Sequence, residues 1–338
     1  MTEIGVVTCG GDCPGLNAVI RAVVVRASAA GARIWGVRNG WRGLAEGDLV
    51  PLTRDDVRGL IGRGGTILGT SRMDPYLHGS GLETLRPAAD RLDALVVVGG
   101  DGSLRTAARL ATEGLPVVGV PKTIDNDVPG TDTSFGFDTA VQVVTDAIDR
   151  LTTTAEAHNR VMLVEVMGRT TGWIAAYSGI AGGAEAVLVP EVPYDLEELA
   201  DSIRRRHRSG RPYSIVVVAE GVPGPDGRPV VAGEDSLGFA RLGGVAHALA
   251  PRLEELTGYE VRVSVLGHLQ RGGSPTAYDR VLATRMGVLA AELALEGRTG
   301  TMTALRGDEV VAVDLDVVRE EPRGLPPSRY RLASWFFA

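Results

Sequence analysis

Lysine is nearly absent from this chain of 338 residues: Lys122 stands alone among 35 basic side chains, the rest being arginine. Asp and Glu number 42, so the formal charge is -7 and the pI about 5.4. That balance argues against a nucleic-acid or membrane-surface partner, because either would need a basic face. No apolar run approaches the ~20 residues of a membrane span. The opening Met1-Thr2-Glu3-Ile4 lacks the charged and apolar regions of a signal peptide. A soluble, cytoplasmic protein is expected. Cysteine is limited to Cys9 and Cys13, which flank a Gly-Gly-Asp turn. Two ligands do not make a zinc site, so both are expected to be small packed residues rather than a metal pair or a disulfide.

Glycine, in contrast, is abundant: 45 residues, about twice the usual ~7%. Many turns must let backbone come close to a partner, and phosphate is the usual one. With 44% hydrophobic residues the chain exceeds the ~250–300 residues at which single cores stop growing, so two α/β lobes are expected. Short β-branched runs predict strands at 4–8, 33–37, 94–98, 117–120, 161–165, 186–189, 215–219 and 261–265. Helices are predicted between them at 16–30, after Pro14 and Gly15, at 104–113, after a Gly-rich turn, at 138–151, where apolar residues are spaced by three and four, and at 196–208, 239–256 and 278–296. Closely spaced Pro and Gly at 223–229 mark a loop or hairpin over 221–234. The tail beyond Pro326-Pro327, with Trp335, Phe336 and Phe337, is expected to pack on the body or a partner.

Three segments carry chemistry. Gly10-Gly11-Asp12 lies between a strand and a helix, where free N–H groups and the helix dipole favour an anion. Gly99-Gly100-Asp101-Gly102-Ser103 repeats that design with a carboxylate. Its glycines let amides approach phosphates, and Asp101 is suited to Mg²⁺, directly or through water. Alternatively, Asp101 caps the following helix. Such a turn also fits NAD and lipid kinases. Pro121-Lys122-Thr123-Ile124-Asp125-Asn126-Asp127 follows the strand at 117–120 and opens at the same sheet edge. Phosphoryl transfer needs a base at the acceptor hydroxyl, cations on the migrating group and in-line geometry. Two carboxylates two residues apart divide those tasks, one taking the proton and the other helping the metal.

Together with Met167-Gly168-Arg169 and the run from Gly267 through His268, Gln270 and Arg271 to Pro275, these segments resemble bacterial 6-phosphofructokinases in order and spacing. The likeness runs from Ile4 to about Gly297. The resemblance implies an α/β fold of two Rossmann-like three-layer lobes with mostly parallel sheets and the active site in the cleft between them. Residues 1–137 with about 248–300 would form the donor lobe, and 138–247 with about 301–338 the fructose 6-phosphate lobe. Asp125 would be the base on the sugar 1-hydroxyl, with Thr123 beside it and Lys122 and Arg169 also catalytic. Asp101 and Asp127 would hold Mg²⁺. Gly11, Arg72, Gly100, Gly102 and Ser103 would hold the donor. Met167, Gly168, Arg169, Glu220, His268 and Arg271 would bind the sugar phosphate. Arg160 and Arg262 would reach it from a neighbouring subunit of a homo-oligomer, their guanidinium forks reading phosphate bidentately.

Two positions set donor choice in the resembling family, and here they are Gly102 and Lys122. That mixed pair resembles the actinobacterial mixed-substrate group. An Asp at 102 would repel the α-phosphate of ATP; Gly102 leaves that space open, so ATP is expected over pyrophosphate. Thr106 stands where members of the pure ATP type have glycine near the adenine. Arg21, Arg54, Glu185 and Arg211 fit the effector pattern, but Val25, Thr152 and Ser209 replace expected basic residues, which predicts a weak response to ADP or phosphoenolpyruvate. The alternatives are a pyrophosphate-dependent, reversible phosphofructokinase, a NAD or lipid kinase, and a nucleotide-sensing protein without catalysis. The last would have no need of Asp101, Asp125 and Asp127 together.

Overall fold

The computed structural model describes residues 1–234 and 240–335. In chain order the elements are β1 (Glu3–Thr8), α1 (Leu16–Ala29), β2 (Arg33–Val37), α2 (Gly40–Glu46), β3 (Leu49–Leu52) and α3 (Leu82–Ala89). Next come β4 (Ala94–Gly99), α4 (Asp101–Thr112), β5 (Val117–Thr123), β6 (Phe135–Gly136) and α5 (Phe137–His158). They are followed by β7 (Val161–Val166), α6 (Trp173–Ala181), β8 (Ala186–Leu188), α7 (Leu196–Arg208), β9 (Ser214–Ala219), β10 (Val231–Glu234) and β11 (Ala240–Leu242). The last are α8 (Val245–Thr257), β12 (Val261–Val265), α9 (Ala277–Leu295), β13 (Thr301–Arg306), β14 (Glu309–Asp314) and α10 (Pro327–Ser334).

The chain divides into two compact units, one of residues 1–139 and 271–323, the other of 140–270 and 324–338. In the first, a sheet runs β14-β13-β5-β4-β1-β2-β3, with β6 beside β5. Pairing is parallel except at the two edges, β13 with β14 and β2 with β3. The central strands are largely apolar, and β4 is so throughout and buried at all six positions, as expected of a sheet covered on both faces. One face packs Trp41 and Leu44 of α2, Leu82 and Leu85 of α3 and Leu104 and Ala107 of α4 into a single core with Leu95 and Val97. Helices α1 and α9 pack together and α9 also contacts β4, β5 and β13. In the second unit β12-β7-β9-β8 form a parallel sheet. There α7 packs on α8, which contacts β12 and β7, while α6 contacts β9 and β8 and carries α10.

Local chemistry sets several boundaries. Asp195 caps α7, its carboxylate accepting from the amides of Glu197 (2.8 Å) and Glu198 (3.2 Å). Acidic residues fill the first turn and basic ones the last, matching the helix dipole. Helix α4 begins at Asp101, three residues before the predicted start, because Gly100 is already its N-cap. Helix α8 begins at Val245, not 239. Gly243 and Gly244 take φ of 138° and 91°, and the buried Glu165 carboxylate on β7 accepts from the amides of Gly244 (2.7 Å) and Ala246 (2.9 Å). The predicted first residue, Phe239, lies outside the described residues, as do Phe336 and Phe337 of the tail. Of that tail, Ala333 is buried and the Tyr330 hydroxyl donates to the Val187 carbonyl at 3.1 Å, whereas Trp335 is exposed.

The lobe boundaries differ from those expected. Residues 248–270 fall in the second unit, because β12 pairs with β7, and 301–323 fall in the first, because β13 pairs with β5. Segment 223–229 closes through a Pro223–Pro229 bridge, and the β10–β11 hairpin follows it. Both cysteines are free and buried. Desolvation pushes the Cys9 thiol up to about 12 and the Cys13 thiol further, so both are inert packing residues.

Candidate active site

In the first unit, β1, β4 and β5 are adjacent and parallel, so the loops after their carboxyl ends collect at one edge, where ligands bind in open α/β sheets. The β1 loop carries Gly10 and Gly11, the β4 loop Gly100 and the start of α4, and β5 ends in Lys122 and Thr123 with Asp125 and Asp127 beyond. Lys122 is 3% exposed, and its ammonium donates to the Gly11 carbonyl. A Cβ placed on Gly10 would lie 3.7 Å from the Lys122 Nζ, and one on Gly100 4.0 Å from it. The ammonium therefore sits under both glycine turns. Burial holds Lys122 below the ordinary lysine value, and the Arg271 cation pushes the same way.

Arg271 comes from more than 250 positions along the chain, yet its Nη1 lies 3.2 Å from the Asp12 carbonyl. It would stand 2.8 Å from any Cβ on Gly11, so a side chain there would displace the Arg271 guanidinium. Gly102 is different. It is exposed, and a Cβ at that position would meet nothing within 4 Å. The fold places no demand for glycine there.

Asp125 and Asp127 are 4% and 6% exposed. Between them Asn126 adopts φ of 55°, a left-handed turn that asparagine tolerates better than most residues. The Asn126 Oδ1 accepts from the Ser134 amide (3.1 Å), and the Ser134 hydroxyl donates to the Thr123 carbonyl (2.9 Å). Arg323 donates from Nη2 to the Asn126 carbonyl (2.9 Å) and from its amide to the Asp127 carbonyl (2.7 Å). Ser134 and Arg323 thus fix the loop that carries both carboxylates. Neither was singled out by motif reasoning, and no local signal marks them.

Asp101 is the first residue of α4, so it does not act as the N-cap. Its carboxylate meets Arg105 one turn later at 2.8 Å, and Arg105 is itself held by the Glu320 carbonyl at 2.5 Å. Among the described residues, no group of three or more His, Cys, Asp or Glu side chains is arranged to hold a metal ion.

Met167, Gly168, Arg169, Glu220, Arg160, Arg262 and His268 belong to the second unit. Arg169 follows β7 with φ of 53° and donates its amide to the Glu220 Oε1 at 2.9 Å. Gly168, at φ 140°, receives the Thr171 amide (2.9 Å) and hydroxyl (3.0 Å) on its carbonyl. Gln270, fully buried, accepts from the Met167 amide (3.2 Å) and donates to the Gly267 carbonyl (3.0 Å), tying the segment at 167–169 to the one at 267–271. Arg160 and Arg262 both pair with Glu260. Arg160 precedes β7 and Arg169 follows it, so the six residues of that strand, about 20 Å of extended chain, lie between them.

Of the residues in the effector pattern, Glu185 pairs with Arg206 and accepts from the Ile215 amide at 2.5 Å. Thr152 and Ser209 turn their hydroxyls onto the carbonyls of Ile148 (2.9 Å) and Arg206 (2.7 Å) of their own helices. No helix among the described residues is long and apolar enough to cross a membrane.

The sequence profile described as Phosphofructokinase matches residues 3–294. A protein of Amycolatopsis methanolica named pyrophosphate–fructose 6-phosphate 1-phosphotransferase is 53% identical over 99% of both chains. One of Streptomyces coelicolor named ATP-dependent 6-phosphofructokinase 3 is 52% identical over 97% of this chain and 98% of that one. The crystal structure of Pichia pastoris phosphofructokinase in the T-state aligns with a TM-score of 0.84 at 33% identity, over 94% of this chain. This chain spans only 35% of the Pichia chain. A pyrophosphate-dependent phosphofructokinase of Nitrosospira multiformis aligns with a TM-score of 0.83 at 25% identity, over 96% of this chain and 86% of that one. A match from residue 3 to 294, with relatives above half identity along almost the whole length, establishes that this chain belongs to the phosphofructokinase family.

Proposed function

We propose that this protein transfers the γ-phosphoryl group of ATP to the 1-hydroxyl of fructose 6-phosphate, giving fructose 1,6-bisphosphate as in glycolysis. The observation that carries this reading is the convergence of two glycine turns on the buried Lys122, with Asp125 on the same strand end. Backbone amides at the start of α4 and in the Gly10-Gly11 turn would cradle the donor phosphates, with Ser103 and Arg72 beside them. Asp125 would take the proton of the sugar hydroxyl, and Thr123 would orient it. Lys122 would stand against the charge of the migrating phosphoryl. Asp101, released from Arg105, and Asp127 would hold Mg²⁺, which neutralises donor phosphate charge. Arg169, Glu220, Met167, Gly168, His268 and Arg271 would hold the sugar phosphate.

The open space at Gly102 supports ATP, since nothing there opposes an α-phosphate. Identity to relatives does not separate the donors: S. coelicolor proteins named for ATP and for pyrophosphate match at 52% and 50%. The pyrophosphate-dependent reading therefore stands as the alternative, favoured by Lys122. Initial rates with fructose 6-phosphate and each donor, side by side, test both. A larger kcat/KM is expected with ATP. A larger value with pyrophosphate overturns the donor half, and no turnover with either overturns the whole.

The roughly 20 Å of strand between Arg160 and Arg169 exceeds what an arginine side chain spans. If Arg160 and Arg262 serve a sugar phosphate, it is one bound to another copy, which supports a homo-oligomer of at least two subunits. Size measurement alongside activity is expected to show that only the oligomer turns over. A fully active monomer contradicts it.

A further inference from the structure

The segment carrying Arg72 is anchored on both sides of that residue. Upstream, the Thr70 hydroxyl donates to the Gly10 carbonyl (2.6 Å) and the Gly10 amide to the Ser71 carbonyl (3.2 Å). Further back, buried Asn17 donates to the Arg63 carbonyl (3.0 Å) and accepts from the Ile67 amide (2.9 Å). Arg72 therefore leaves the first glycine turn in a set direction. Downstream the attachment is to α4. The Thr106 hydroxyl lies 2.6 Å from the Asp74 Oδ2 and 3.1 Å from the Gly102 carbonyl. With one proton to give, it favours the shorter contact to the charged acceptor. The other Asp74 oxygen accepts from the Tyr76 amide at 2.8 Å. Tyr76 continues along the helix, its ring 3.5 Å from the Arg109 guanidinium carbon and its hydroxyl 2.9 Å from Glu113.

Thr106 is one turn beyond Gly102 on the helix whose first turn carries Asp101, Gly102 and Ser103. Motif reasoning could see Thr106 only as a departure from glycine. In three dimensions its hydroxyl has a partner, and that partner is two residues from an arginine assigned to the donor. We propose that Thr106 and Asp74 form a latch that closes the Arg72 segment onto α4, and that this latch sets the affinity for the phosphoryl donor. The inference rests on the phosphotransferase reading for its consequence, although not for the contact. Both are positioning residues: neither touches the reacting atoms. Opening the latch costs donor affinity because Arg72 loses its fixed approach, a loss common to removal of either partner.

The test uses Thr106→Val, which keeps shape and removes the hydroxyl, Thr106→Ser, which keeps the hydroxyl, and Asp74→Ala, which removes the acceptor from the other side. T106V and D74A are expected to raise the KM of the preferred donor about tenfold, the scale of one hydrogen bond to a charged group. The sugar KM should stay within twofold, and T106S should restore the donor KM. Arg72 is exposed and followed by Met73, so trypsin cleavage after Arg72 in the unliganded protein reads the latch without catalysis. Cleavage there should accelerate in T106V and D74A and return to the wild-type rate in T106S. If T106V matches T106S in donor KM, or cleavage after Arg72 is unchanged, the latch is refuted. Wild-type protein that phosphorylates no sugar counts against the proposed function instead, and the cleavage rates still judge the latch.

Discussion

Replacing Asp125 with Asn is expected to lower kcat by about 10²–10⁴-fold, the range for losing a positioned general base. Asn has the same shape, and the loop is held by groups outside this side chain. Ser134 binds Thr123 and Asn126, Arg323 binds the carbonyls of Asn126 and Asp127, and the Asp125 amide meets the Thr123 hydroxyl at 3.0 Å. The fold should therefore survive the exchange, and the sugar KM should shift by less than threefold. Steady-state kinetics with calorimetric titration of the donor separates the cases. A kcat within tenfold of wild type would remove Asp125 from the role of base. Lost donor binding would point to a damaged loop rather than a missing proton acceptor.

Lys122→Met is expected to lower kcat by about 10²–10³-fold, comparable to losing one preorganised donor at a developing charge, with a much smaller change in the sugar KM. The ammonium is buried between the two glycine turns, where little solvent screens it from the migrating group. Stability provides the control. Burial depresses the pKa of Lys122, so its contribution to folding is most favourable above the unfolded pKa and is lost as pH falls through the folded one. At neutral pH the lysine costs stability, and Met should leave Tm unchanged or higher. A lowered Tm with unchanged kcat would make Lys122 a structural prop for the Gly11 carbonyl.

Much of the fold was legible because its strands are short, apolar and bounded by glycine. β2, β12 and α7 match prediction residue for residue. The hairpin of β13 and β14 escaped notice although Gly307-Asp308, a turn pair, separates its alternating runs. The short α2 and α6 lack clear periodicity; α6 is apolar nearly all round and reads equally as a strand. The lobe boundaries were misplaced because parallel pairing joins segments distant in sequence. Nothing local in 261–265 says that its neighbour is β7.

The chemistry, by comparison, is local. Amides at glycine turns, carboxylates two residues apart and a lone lysine are set by residue type and spacing, and these alone determined phosphoryl transfer as the class of reaction. Which groups meet is a long-range matter. Arg271 reaches Asp12, Arg323 braces Asp127, and Asp74 faces Thr106 only because β1, β4 and β5 lie side by side and bring their loops to one edge. The single lysine was visible at once in the sequence. That its ammonium would lie beneath both glycine turns was decided by the packing of three parallel strands, since strand order depends on contacts that no local pattern encodes.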